Sequence, residues 1–125
     1  TNNGWTALML AAERGHTETV EALLARQDID VNQANQYGST ALMIAAQNGH
    51  TTIVQALLAA GANVNHVALG VTALMQAARN GHTAIVEALL PCINDIDQLQ
   101  HALEQTDDDE IRQAIQARID EIPQG

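Results

Sequence analysis

Three histidines, His16, His50 and His82, recur in the tripeptide Gly-His-Thr. Histidine is a common metal ligand, and the ligand nitrogens must lie about 2 Å from one ion. If the recurrence reflects stacked units, equivalent side chains lie about 8–10 Å apart, one helix-packing distance. Because such side chains cannot converge on one ion, we expect no metal site. We expect each His to make a structural hydrogen bond at the start of a helix.

Two other features could carry chemistry. The acidic run Asp107–Glu110 lacks the alternating oxygen ligands, central Gly and distal Glu of a calcium loop, so we expect negative charge at a helix start. Cys92 is the only cysteine and follows Pro91, so we expect a small buried residue, not a nucleophile. No catalytic triad or phosphate-binding Gly-rich loop stands out, and we predict neither enzyme activity nor a cofactor.

Composition narrows the classes of partner. The 125 residues carry a formal charge of -10, with five Arg and no Lys. Nucleic acid and anionic lipid would be repelled by this charge. No apolar run approaches the about 18 residues of a membrane span. We therefore expect no nucleic-acid binding, no membrane insertion and, by default, a cytoplasmic location. Nine of the fifteen acidic residues lie from Cys92 onward.

One sequence motif occurs three times. The tetrapeptide Thr-Ala-Leu-Met occupies 6–9, 40–43 and 72–75, at separations of 34 and 32 residues. Each copy precedes an Ala pair, Gly-His-Thr and a Leu pair, in stretches such as GHTETVEALL at 15–24. A phrase repeated at this interval indicates a structural unit that stacks on its neighbours.

Each unit predicts two short helices. The Thr that opens it is suited to cap the first helix, and the Gly after the Ala pair is suited to end it (Thr6, Thr40, Thr72; Gly15, Gly49, Gly81). Val20, Leu23 and Leu24, with their equivalents, form one apolar stripe on the second helix. Helices of about ten residues do not persist alone, so each stripe must pack on the next unit.

The tail predicts a degenerate fourth unit. Residues 95–105 and 107–122 each place apolar side chains on one helical face, and the 12 residues from Leu99 to Ile111 equal those from Leu74 to Val86. Its polar residues suit a solvent-facing cap. The first unit has full internal-repeat character from Thr1, so we expect the chain to be the C-terminal piece of a longer protein.

The stretches GWTALMLAAERGHTETVEALL, GSTALMIAAQNGHTTIVQALLAAGANVN and GVTALMQAARNGHTAIVEALL resemble ankyrin repeats. The resemblance implies an all-α solenoid of helix-turn-helix units with hairpin loops, divided at 1–33, 34–66, 67–92 and a helix-pair cap at 93–125. The family favours Thr-Pro-Leu-His where this chain has Thr-Ala-Leu-Met, so its loop-bracing His is replaced by Met9, Met43 and Met75. We expect these Met to fill gaps between helices; the alternative is a partly exposed row beside a groove.

In this family the hairpin tips and the first helices line a concave face that binds partners. Carried over position by position, the resemblance implies these contact residues: Trp5, Arg14, Tyr37, Asn48, Leu69, Val71, Arg79 and Asn80. Trp5 and Tyr37 flank loop glycines, where an aromatic side chain either packs between loops or contacts a partner. Both interpretations stay open for Trp5, and contact is favoured for Tyr37.

The resulting hypothesis is a monomeric protein–protein interaction module, whose acidic cap could attract a partner with a basic surface. One alternative is a structural spacer within a larger protein. Another is a regulatory or targeting segment of an enzyme whose catalytic domain lies upstream. A third is that Asn32 and Asn65 are modification substrates, as in some eukaryotic ankyrin repeats.

Overall fold

The Thr-Ala-Leu-Met stretches begin helices as predicted. The Oγ atoms of Thr6, Thr40 and Thr72 accept hydrogen bonds from the amides three residues on, at 3.1, 3.4 and 3.3 Å. These bonds satisfy amides that have no partner within their own helix. The computed structural model describes residues 6–123, and all statements on structure concern that range. Its α-helices are α1 (Ala7–Arg14), α2 (Thr17–Leu24), α3 (Ala41–Asn48), α4 (Thr51–Ala59), α5 (Ala73–Arg79), α6 (Thr83–Leu89), α7 (Ile96–Glu104) and α8 (Asp109–Glu121).

The helices form two stacked rows. Helices α1, α3, α5 and α7 pack in sequence, and α2, α4, α6 and α8 form the second row. Each helix also packs on its partner within the pair. The Ala pairs of the first row are buried, which lets neighbouring helices approach closely. The predicted all-α architecture is therefore confirmed, and no strand occurs between residues 6 and 123.

The three methionines lie inside this stack. Met9, Met43 and Met75 are 1%, 5% and 7% exposed. They fill space between helices, as flexible unbranched side chains do well. The gap-filling interpretation is confirmed, and the alternative of a partly exposed row is wrong.

A histidine side chain connects the first helix pair to the second, and another connects the second pair to the third. The Nε2 of His50 donates to the carbonyl of Glu13 at 3.0 Å, and a Cβ added at Gly15 would lie 2.8 Å from the ring. His82 repeats this contact one pair later, with the carbonyl of Gln47 at 3.1 Å and with Gly49 beneath its ring. The glycine thus both ends a helix with positive φ and makes room for the next pair's imidazole.

The tail forms the fourth helix pair that its apolar spacing predicts. Leu99, Ile111 and Ile115 are fully buried, and Asp108 caps α8 by accepting from the amides of Glu110 and Ile111. The acidic run therefore marks a helix start as predicted.

Cys92 ends a short 3-10 helix, Leu90–Cys92, and is exposed. The prediction that it is buried is wrong, because the neighbouring Leu90 and Ile93 take the buried positions of this turn.

The first helix pair is more exposed along α2 than the second and third pairs are along α4 and α6. Thr19 is exposed, whereas its equivalents Ile53 and Ile85 are 1% and 0% exposed. Leu10, on α1, is 39% exposed. The side of this pair that is buried in the second and third pairs faces solvent, since no described helix pair packs against it.

Between residues 6 and 123, no helix combines the length and the apolar character that crossing a membrane requires.

Candidate functional site

The repeated histidines make contacts between pairs. His16, His50 and His82 each occupy the N-cap position of a second-row helix, yet none of them caps it through its side chain. The predicted helix-start bond is wrong, because His50 and His82 reach back to the preceding pair instead. His50 bonds near the C-terminal end of α1, and His82 bonds near the C-terminal end of α3. In the described range no three His, Cys, Asp or Glu side chains lie close enough to hold a metal ion.

The loop of the second pair, residues 35–39, is closed around one side chain. Asn35 is 7% exposed, and its Oδ1 accepts from the amides of Tyr37 and Ser39 at 2.9 and 3.1 Å. Backbone bonds from Asn35 to Ser39 and from Gly38 to Asn35 complete the turn. We call this set of hydrogen bonds the Asn35 bracket. It leaves the side chain of Tyr37 pointing into solvent, with 53% of its surface exposed.

The loop of the third pair, residues 67–71, is closed by its backbone alone. Ala68 and Val71 exchange two hydrogen bonds of 2.9 and 3.0 Å. Leu69 and Gly70, between them, have φ of 53° and 79°, as in a type I′ turn. A positive φ is unfavourable for leucine, and Leu69 is nevertheless at the tip with 88% of its surface exposed.

The two loops touch each other. The Nε2 of His66 donates to the carbonyl of Gly38 at 2.7 Å, and a Cβ added at Gly38 would lie 3.5 Å from the side chain of Ala68. Tyr37, Val67 and Leu69, which we call the hairpin surface, are three of the four large hydrophobic side chains exposed within residues 6–123. The structure thus places two of the predicted contact residues on neighbouring loops and adds Val67.

The other predicted contact residues lie elsewhere. Val71 is half-buried at the base of its loop, and Arg14, Asn48, Arg79 and Asn80 are exposed at the C-terminal ends of α1, α3 and α5. Eight helical residues span about 12 Å, so these ends are well separated from the loops at the helix starts. Trp5 lies outside the described residues.

Several of these polar side chains bond to the scaffold. The Nδ2 atoms of Asn48 and Asn80 donate to carbonyls of their own helices at 2.8 and 2.7 Å. Arg79 donates to Oε1 of Gln105 at 2.7 Å, which ties α5 to the loop after α7. A partner would have to compete with or extend these bonds.

A groove of about 300 Å³ runs between the third loop and the start of α7. Asn65 and Val67 line it on the side of the third loop, Met75 lines it from α5, and Asp95, Asp97 and Gln98 line its α7 side. We call it the acidic groove. His101 lines it as well, and none of its lining residues is Arg.

Gln98 lies in the wall of the acidic groove with an unused acceptor. The side chain is 6% exposed and donates through Nε2 to Oδ1 of Asn65 at 3.0 Å. Its Oε1 is buried and has no hydrogen-bond partner. An unsatisfied buried acceptor is uncommon because the lost solvation costs about 1–3 kcal/mol.

The asparagines considered as modification substrates also link neighbouring pairs. Oδ1 of Asn32 accepts from the amide of Asn63 at 2.7 Å, and Oδ1 of Asn65 accepts from Gln98. Both residues are exposed. The modification of Asn32 and Asn65 stays a prediction.

Sequence reasoning missed Val67 and Gln98. Val67 aligns with Asn35 at the interval of 32 residues, and the change from Asn to Val at this loop position was the available signal. Gln98 gave no such signal, because a Gln on an amphipathic helix ordinarily faces water.

Comparison with protein families matches most of the chain to a family of repeats. The model described as ankyrin repeats (3 copies) matches residues 1–68 and 23–102. No curated protein matches the chain.

Proposed function

The chain belongs to the ankyrin repeat family, and from this premise we propose that it binds a partner protein mainly through the hairpin surface of Tyr37, Val67 and Leu69. Proteins of this family generally act as protein–protein interaction modules and are typically non-enzymatic.

The observation that carries the proposal is the exposure of Leu69. An apolar side chain with 88% of its surface in water, held at positive φ, contributes little to the stability of the fold. Tyr37 and Val67 are exposed on the same pair of touching loops. Exposed apolar side chains grouped on neighbouring loops favour an interaction site over chance exposure.

Preorganisation explains how so small a surface could bind well. The Asn35 bracket, the Ala68–Val71 hydrogen bonds and the His66–Gly38 link hold the loops before a partner arrives. Less conformational entropy is then lost on binding, and more of the contact energy appears as affinity. Arg14, Asn48, Val71, Arg79 and Asn80 remain proposed as secondary contacts farther from the loops.

A retention experiment with matched variants tests the proposal. The purified chain, Tyr37→Ser/Leu69→Asn and Leu10→Ser serve as baits in extract of the cells that make the protein. We expect a partner whose affinity, remeasured by calorimetry with the purified pair, falls at least about tenfold in the hairpin variant. Leu10→Ser should match the parent chain, since Leu10 is an exposed apolar residue on α1 and not on the loops.

Two outcomes would count against the hairpin surface. A partner bound equally by all three baits contacts some other part of the chain. No retained partner at all would favour the spacer hypothesis.

A further inference from the structure

We propose that the acidic groove receives an arginine side chain from the same partner segment that covers the hairpin surface. The inference rests on the proposed function, and it adds the chemistry of the partner: an apolar residue for the loops and an arginine beside it.

Continuity between the two sites supports a single segment. Val67 belongs both to the hairpin surface and to the lining of the acidic groove. A chain that covers Leu69 at the loop tip therefore reaches the groove within a few residues.

The charge of the groove selects a cation. Asp95 and Asp97 are exposed on its α7 side, and the protein as a whole carries -10. Two arginines are held near the ends of α7: Arg79 bonds to Gln105, just after its last residue, and Arg118 bonds to Asn94, the residue before Asp95. Neither of them lines the groove. His101 is the only basic side chain in the lining.

The positive end of α7 does not reverse this preference. Oδ1 of Asp95 accepts from the amides of Asp97 and Gln98 at 3.0 and 3.5 Å, so the first amides of the helix are already bonded. Two carboxylates beside one helix start outweigh the half charge of the helix dipole.

Gln98 supplies the independent reason for a hydrogen-bond donor. Its Oε1 is a buried acceptor without a partner, in a side chain whose Nε2 is already held by Asn65. This oxygen has almost no solvent-exposed area, so a donor that enters the groove bonds to it only after the Gln98 side chain turns toward the groove. Supplying that donor removes a desolvation cost already present in the free protein.

A guanidinium group meets these requirements better than an ammonium group. It is flat, and its five N–H donors can reach Gln98 and a carboxylate at once. The aliphatic stem of an arginine would pack along Val67 of the third loop and Met75 of α5, which both line the groove.

The test uses the whole chain and two defined peptides. The probes are acetyl-Leu-Gly-Ser-Arg-amide and its twin with norleucine in place of arginine, titrated at millimolar concentration and followed by amide NMR. We expect the arginine peptide to bind about tenfold more tightly and to shift the side-chain amide signal of Gln98.

Variants of the groove then assign the preference to its residues. Gln98→Leu should bring the two peptides to equal affinity, and Gln98→Glu should tighten only the arginine peptide. Asp97→Asn should weaken the arginine peptide more than Glu104→Gln, an exposed acid on the same helix outside the groove. Urea unfolding of each variant verifies that it is folded.

The outcomes separate this inference from the proposed function. Equal affinity for both peptides, or an arginine preference that survives in Gln98→Leu, would overturn the inference and leave the hairpin surface standing. Absence of binding by both peptides would also overturn it. Leu69→Asn should weaken both peptides alike and keep their ratio; if it weakens neither, the hairpin surface itself is contradicted.

Discussion

The loops 35–39 and 67–71 occupy equivalent places between helix pairs and are closed by different means. In the first, the buried side chain of Asn35 holds two amides. In the second, Val67 stands at that position, is 56% exposed, and the turn is held by backbone bonds between Ala68 and Val71. A change at one position thus moves a side chain from the frame of the loop to its outer surface. The contrast shows how a nearly constant helical scaffold can present variable contact residues.

The largest expected effect is on the loop that depends on a side chain. Asn35→Ala leaves the amides of Tyr37 and Ser39 without their acceptor, and we expect the free energy of unfolding to fall by about 2 kcal/mol. Urea denaturation measures it. Val67→Ala is the matched control and should cost no more than about 0.5 kcal/mol, because Val67 is exposed. Equal losses would contradict the difference between the loops.

An intermediate effect of opposite sign is expected at the tip of the third loop. Leu69→Asn should raise the free energy of unfolding by about 0.5–1 kcal/mol, because Asn tolerates the positive φ that strains Leu. The same change should weaken partner binding, so stability and affinity move in opposite directions.

Leu69→Ile is its control, since it keeps an apolar side chain and is β-branched. Thermal unfolding should show it less stable than the parent chain. If both variants lose stability alike, the conformation of Leu69 carries no strain.

We expect Val67→Asn to have the smallest effect on the free energy of unfolding, although it should change the hydrogen bonds of loop 67–71. The new amide oxygen can accept from the amides of Leu69 and Val71, as Asn35 does from Tyr37 and Ser39. Because backbone bonds are exchanged for side-chain bonds, stability should change by less than about 0.5 kcal/mol. Hydrogen exchange at the Leu69 amide should slow, and it should not slow in Val67→Ala. Unchanged exchange would mean that the bracketed loop requires more than its asparagine.

The features that sequence predicted are local ones. A threonine three residues before a helical amide can act only on its own helix start, so the caps at 6, 40 and 72 follow from spacing alone. The apolar periodicity of the tail likewise placed α7 and α8. Burial of the three Met follows from their position on the first-row helices.

The features that sequence missed depend on contacts between distant residues. His50 bonds to Glu13, 37 residues earlier, and no local pattern distinguishes that contact from a helix cap. The acidic groove requires α7 to lie beside the third loop, and the unsatisfied oxygen of Gln98 follows only from that packing. The exposure of Val67 and Cys92 runs against the usual burial of their residue types.

The contacts of His50 with Gly15 and of His82 with Gly49 also determine where further helix pairs could be inserted. Consider a copy of the second helix pair and its loop inserted directly after the original. The copy of His50 would pack on the original Gly49, and the copy of Gly49 would lie beneath His82. Each new joint would reproduce an existing one between helices. The loops would not match as well, because Ala34 stands where the third pair has His66, and the tie to Gly38 would be lost at the new joint. An extended array would therefore keep the packing between its helix pairs, while the added loop would have greater conformational freedom.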